Sequence, residues 1–264
     1  MTTAILAREN YYLGAYWHNR PLTAGEYLDF ARELLQKLHQ FDPEAFGCIY
    51  SATDAANRNC RCYEEDFADF DERVLPQLAR KNTPYMNPDD PDDRTFRRES
   101  EGFLGFRQIF ICQRDPTEDE YVSVTISAGA TDPKCVKNVV IEFPQSGYPQ
   151  FADKHYVGEL FKLVVAHCEP ETARVISYEI SKLTGKKARE HGGVGSYPVG
   201  WFNWVPDPAA ESYLPADTIR ERFSNGVIIQ LSEEIPSSEN KDLISRAISI
   251  RDSLNVAGYL RKSA

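Results

Sequence analysis

Residues 121–127 read Tyr-Val-Ser-Val-Thr-Ile-Ser (YVSVTIS), and this stretch decides the fold. Val122, Val124 and Ile126 alternate with small hydroxylated residues. In an extended chain successive side chains point to opposite faces, so all three apolar groups share one face. A helix would spread the same residues around its circumference. The stretch is therefore a strand with one buried face. Apolar runs lie on either side of it, at Leu104–Gln113 and Val136–Phe143, across the turn-rich connections Asp115–Glu120 and Gly129–Pro133. Short connections of that composition suit hairpins, so an antiparallel set of three strands is expected.

Further out the periodicity changes. Thr23-Ala-Gly-Glu26 has the spacing of a capping box, in which the Thr hydroxyl accepts an amide of the first turn and the Glu returns to the Thr amide. Tyr27, Ala31, Leu34, Leu35 and Leu38 follow at helical spacing up to Pro43. A second helix is expected from about Tyr63, with Phe67, Phe70, Val74 and Leu78 inward and a kink or restart at Pro76. A third is expected over Ala152–His167 and a fourth over Asn240–Val256, ended near Gly258. Additional strands are read at Asn10–Trp17, Phe46–Tyr50, Thr172–Ile180, Val199–Val205 and Gly226–Leu231. Strands come in clusters between helices. That order predicts an α+β fold, a largely antiparallel sheet packed with about four main helices. Residues 1–264 are expected to form a single domain, or two closely packed halves with a boundary near 145–152. Only the polar stretches Pro84–Glu101 and Ser232–Glu239 read as disordered.

Thirty basic residues against forty acidic ones leave a net charge of −10. Phosphate backbones are bound through Lys and Arg, so nucleic acid and anionic membrane are poor partners for this chain. A basic protein partner would instead be steered toward it. No run of about 18 apolar residues suggests a membrane span, and the first residues do not read as a signal peptide, so a cytoplasmic location is expected. The six cysteines (Cys48, Cys60, Cys62, Cys112, Cys135 and Cys168) are expected to be reduced and mostly buried.

No coherent catalytic set emerges. His191-Gly-Gly-Val-Gly-Ser196 resembles an oxyanion-type glycine loop, but no Gly-x-Ser-x-Gly elbow accompanies it. It supplies the alternative reading, a small-molecule hydrolase working through the His191–Ser196 loop. A generic interaction scaffold is another alternative. Cys60-Arg-Cys62 lacks the second close pair that structural zinc takes, and Cys48 is distant in sequence, so no metal is expected. No cofactor is expected either. Glu64, Glu65, Asp66, Asp69, Asp71 and Glu72 crowd the start of the second helix. They read as a solvated face, or as a docking face for a cationic partner. Lysines in place of Glu65, Asp66 and Asp69 are expected to weaken such docking and leave the fold intact. Trp17, Trp201 and Trp204 read as core aromatics.

Several segments, taken in order, carry a likeness. They are Gly14-Ala-Tyr-Trp17 with Arg20-Pro21, Asn138-Val-Val-Ile-Glu-Phe-Pro144, Pro198-Val-Gly-Trp-Phe-Asn-Trp-Val-Pro206 before Tyr213-Leu-Pro215, Gly226-Val-Ile-Ile-Gln-Leu231, and Leu254-Asn-Val-Ala-Gly-Tyr-Leu260. This order resembles the immunity protein 52 family of bacterial polymorphic toxin systems, over nearly the whole chain. The chain departs from the expected pattern at Asn203 and Trp204. The resemblance implies a protein encoded beside a toxin, which protects the producing cell by binding it. It implies a non-enzyme, similar to the immunity partner of a type VI secretion DNase effector with a restriction-endonuclease-like toxin domain. The expected partner is then a basic nuclease. Glu64, Glu65, Asp66, Asp69 and Glu72 become the candidate toxin-binding residues.

Overall fold

A computed structural model describes residues 9–18, 20–56, 60–82, 97–102, 104–117, 119–130, 132, 135–185 and 196–260, with backbone alone at 79–82. Residues 84–96 of the stretch read as disordered and residues His191–Gly195 lie outside them. The elements run β1 (Tyr11–Trp17), α1 (Ala24–Phe41), β2 (Cys48–Ser51), α2 (Ala52–Ala56), α3 (Phe70–Asn82), β3 (Phe106–Gln113), β4 (Val122–Ala128) and β5 (Lys137–Glu142). They continue with α4 (Lys154–Cys168), β6 (Thr172–Ser177), α5 (Tyr178–Thr184), β7 (Phe202–Val205), β8 (Ile219–Phe223), β9 (Gly226–Gln230) and α6 (Lys241–Val256). The strand pairs β2–β3, β3–β4, β6–β7, β7–β9 and β8–β9 are all antiparallel. The fold is α+β, as the sequence pattern predicts. Chain contacts divide it into two compact units, residues 16–141 and residues 1–15 with 142–264.

Within residues 16–141 the strand order is β2–β3–β4–β5. Phe106 pairs with Ala128 and Cys112 with Val122, which sets Phe110 opposite Val124. Val122, Val124 and Ile126 are all fully buried. Two helices cover this face. From α3, the Phe70 ring stacks on Phe110 with centroids 5.8 Å apart. From α1, the Tyr27 hydroxyl donates to the Ile126 carbonyl at 3.0 Å while its ring packs against Phe106. The capping box of α1 forms as read, with Glu26 N–H donating to Thr23 Oγ1 at 3.2 Å and Thr23 N–H to the Glu26 carboxylate at 2.8 Å.

Helix α3 departs from expectation at its start. It begins at Phe70 rather than Tyr63, because Phe67 adopts φ 60°, a left-handed conformation that no α-helix contains. It runs through Pro76 without ending there. Residues 98–100, at the edge of the stretch read as disordered, are tied to the start of α1. Gly25 N–H donates to the Arg98 carbonyl at 2.7 Å and Ala24 N–H to the Ser100 carbonyl at 2.8 Å.

In the other unit the strand order is β1–β6–β7–β9–β8. Helix α4 packs on one face through Phe161, whose ring lies 6.0 Å from Phe202. Helix α6 packs on the other, where Ala247, Ile250 and Leu254 join Val205, Val227 and Ile229 in one buried cluster. Both faces of β7 and β9 are thus covered, which is why Phe-Asn-Trp-Val and Gly-Val-Ile-Ile read as continuous runs rather than alternating ones. Trp17, Trp201 and Trp204 are core residues. Gly200 is required at its turn, since a Cβ there would stand 2.2 Å from the Val175 carbonyl oxygen. Asn203 closes the same turn. Its Oδ1 accepts from Gly200 N–H at 2.8 Å and its Nδ2 donates to the Gly200 carbonyl at 2.9 Å.

Three expectations change in this unit. Thr172–Ile180 is a strand only to Ser177, whose Oγ accepts from Ile180 N–H at 3.1 Å and starts α5. Strand β8 (Ile-Arg-Glu-Arg-Phe) adds to the expected strands, its charges hiding the alternation at a sheet edge. Ser232–Glu239 is not a loose stretch. The buried Glu9 carboxylate accepts from Ser177 Oγ at 2.7 Å, Ser237 Oγ at 2.9 Å and Ser238 N–H at 2.7 Å, and Trp201 Nε1 donates to the Ser232 carbonyl at 3.0 Å.

Candidate functional site

The acidic residues singled out from sequence lie on a braced turn, residues 60–69, and on the first turn of α3, not along one helix face. The bracing starts at β2. Cys48 and Cys62 form a disulfide across a Cα–Cα separation of 5.1 Å. The expectation that all six cysteines are reduced is overturned at this pair, which are neighbours in space although distant in sequence. Cys60, Cys112, Cys135 and Cys168 are free thiols. Next to the disulfide, Tyr63 N–H donates to the Ile49 carbonyl at 2.7 Å, laying the segment along β2.

Arg73 of α3 holds the segment from the other side. Its guanidinium donates to the carbonyls of Cys62 at 3.0 Å and Arg61 at 2.6 Å. It also pairs with Asp54 at 2.8 Å and Asp69 at 3.0 Å and lies 4.3 Å from the centre of the Tyr63 ring. Burial would lower the Arg73 pKa, but the carboxylates of Asp69 and Asp54 outweigh it and hold the cation firmly. Burial would likewise raise the Asp69 pKa. Hydrogen bonds from Glu64 N–H and from Arg73, with the charge of Arg73, bring it instead below the ordinary 3.8.

The acidic residues therefore divide by role. Asp69 is structural, with a side chain only 12% exposed, its Oδ1 accepting from Glu64 N–H at 3.0 Å. Asp71 belongs to a four-charge ring with Arg32, Asp29 and Arg98. Asp66 accepts from Ala68 N–H at 3.0 Å yet stays exposed, and Glu64 faces Arg61 at 3.5 Å with both side chains largely in solvent. Glu65 and Glu72 are exposed and have no ion-pair partner among the described residues. Glu64, Glu65, Asp66 and Glu72 are thus the outward carboxylates. Sequence reasoning missed Arg73 and Asp54. The spacing of Asp69 and Arg73, four residues apart, was the available signal for the first.

Elsewhere, a cleft of about 310 Å³ opens between α4 and strands β8 and β9. Phe202 and Ile228 line it, with Lys162 bridging Glu159 at 3.1 Å and Glu221 at 3.0 Å on its rim. Of the His191–Ser196 loop only Ser196 is described. It is fully buried, and its Oγ has no partner among the described residues. No group of three or more His, Cys, Asp or Glu side chains able to hold a metal ion occurs among the described residues. No helix among them is long and apolar enough to cross a membrane.

Fold and site together define an α+β protein that presents a braced acidic turn. The sequence model of Immunity protein 52 matches residues 9–263. The chain belongs to that family. Among solved structures, a T6SS protein of Pseudomonas aeruginosa is similar at a TM-score of 0.51, covering 97% of this chain and 76% of that chain with 13% identity. At that identity the likeness concerns the fold alone. No curated protein matches the chain at a significant level.

Proposed function

We propose that this chain binds a cognate secreted bacterial toxin and neutralises it by occupying its surface, without catalysis, in the cytoplasm of the cell that carries it. The toxin is a basic nuclease, and the docking surface includes Glu64, Glu65, Asp66 and Glu72, with Asp69 holding them in place. One observation carries the choice of surface. Three outward carboxylates stand on a turn fixed by a disulfide and by Arg73, and a fourth, Glu72, on the helical turn that follows, in an immunity-family chain of net charge −10. A nuclease must present positive charge to phosphates, so a rigid acidic surface can occupy the same groups. Rigidity matters because a preorganised surface loses little conformational freedom on association. The type VI secretion description of the structural relative is consistent with delivery of the toxin by that route.

The test is co-expression with the toxin encoded beside this chain. Cells should survive with the wild-type protein and die with the Glu65→Lys, Glu72→Lys double variant. Equal death with and without the wild-type protein would falsify the immunity reading. Full protection by the double variant would move the interface elsewhere.

A further inference from the structure

We propose that Cys48 and Cys62 are a reversible redox modification site, opened by a low-molecular-weight thiol, that sets how firmly the acidic turn is held. The proposal rests on the proposed function twice, on the cytoplasmic location for the reversibility of the pair and on the docking reading for what the turn does.

The argument begins with compartment. Disulfides in cytoplasmic proteins are as a rule transient or redox-sensing, because the glutathione pool competes with them. A permanent staple is therefore not what a cytoplasmic chain retains. The geometry gives the bond an entry side. Cys48 is buried in β2, while Cys62 is half-buried at the surface. A thiolate reaches the Cys62 sulfur first and expels the Cys48 thiolate. A second thiol then resolves the mixed disulfide. In balance, the protein disulfide and two molecules of RSH give the Cys48 and Cys62 thiols and one RSSR. Oxidation by RSSR runs the same steps backwards.

What opening changes follows from position. The disulfide spans a sequence separation of 14 residues and ends two residues before the outward carboxylates. Closed, it fixes Cys62 to β2 beside the bond from Tyr63 N–H to the Ile49 carbonyl. Open, the segment keeps the Arg73 contacts and loses its covalent tether. Closing a loop of this length limits the freedom of the opened chain enough to change a local opening equilibrium by roughly 10- to 100-fold. The free Cys60 thiol, two residues away and exposed, is a built-in control, because it stays alkylatable in both states.

The experiment uses the full chain equilibrated with glutathione at graded reduced-to-oxidised ratios, then denatured and alkylated. Four thiols should react at the oxidised end and six at the reduced end, with a reversible transition between. Hydrogen exchange of the Tyr63 amide should speed up roughly 10- to 100-fold on reduction, while amides of the β3–β4 ladder stay unchanged. Six reactive thiols at every ratio, or a pair that glutathione never opens, sinks the proposal. So does Tyr63 exchange that is equal in both states. Reduction of the intact wild-type chain is the primary comparison, and Cys62→Ser is the second, since a Ser at buried Cys48 could impair folding. None of these readouts uses a toxin, so failure of the redox pair and failure of the docking reading are separately visible.

Discussion

Asp69 and Glu65 are four residues apart and chemically alike, yet they do different things. Asp69 accepts from the Glu64 amide and pairs with Arg73 inside a nearly closed environment, whereas Glu65 faces water. Asp69→Asn should destabilise the protein by about 1.5–3 kcal/mol, the usual worth of hydrogen bonds to a charged group, measured by urea unfolding. Glu65→Lys with Glu72→Lys should stay within about 0.5 kcal/mol of wild type, as surface changes do. Of the three lysine substitutions expected to leave the fold intact, at Glu65, Asp66 and Asp69, the one at Asp69 should instead destabilise it in the same assay, because a second cation would face Arg73. At Trp201, fully buried and donating to the Ser232 carbonyl, truncation to Ala should cost about 3–5 kcal/mol in the same assay.

Elements add dependences that no single residue carries. The turn 60–69 is held by a carboxylate whose pKa is lower in the folded state than in the unfolded one. A group of that kind contributes stability above its unfolded pKa and loses it as pH falls through the folded one. The difference in stability between wild type and Asp69→Asn should therefore be constant near neutrality and close as the pH drops below 3.8. A gap that persists through acid pH would mean the carboxylate is not the ionised partner of Arg73. Helix α4 depends on its first turn, where Asp153 Oδ1 accepts from both His155 N–H and Tyr156 N–H at 2.9 Å. Asp153→Ala should cost about 1 kcal/mol, read as a lower midpoint in urea.

At the scale of the molecule, the proposed docking gives charge the role of driving the encounter and the braced turn that of setting its geometry. A net charge of −10 attracts a cationic partner over roughly a Debye length, about 8 Å at physiological salt. The association rate with the toxin should accordingly fall steeply as salt is raised, with a smaller effect on dissociation. A rate indifferent to salt would argue for an apolar interface. The cleft beside α4 and the acidic turn lie in different units, so substitutions at Phe202 offer a control that should alter stability without changing the salt dependence.

Local chemistry alone determined much of this protein. The alternation of Val122, Val124 and Ile126, the capping box at Thr23, and the helical spacing of Leu34, Leu35 and Leu38 each select a conformation within a few residues. The α+β class followed from their order, and the family likeness from motifs spread along nearly the whole chain. Tertiary structure decided what depends on distant partners. Strand β8 is invisible in sequence because an edge strand need not alternate, and its pairing with β9 supplies what the pattern lacks. Helix α3 starts late because the left-handed Phe67 interrupts a run whose apolar spacing already looked helical. The acidic cluster looked uniform because charge is a property of composition. Only the approach of Arg73, Asp54 and the Cys48–Cys62 bond separates the carboxylates that hold the turn from those left facing solvent.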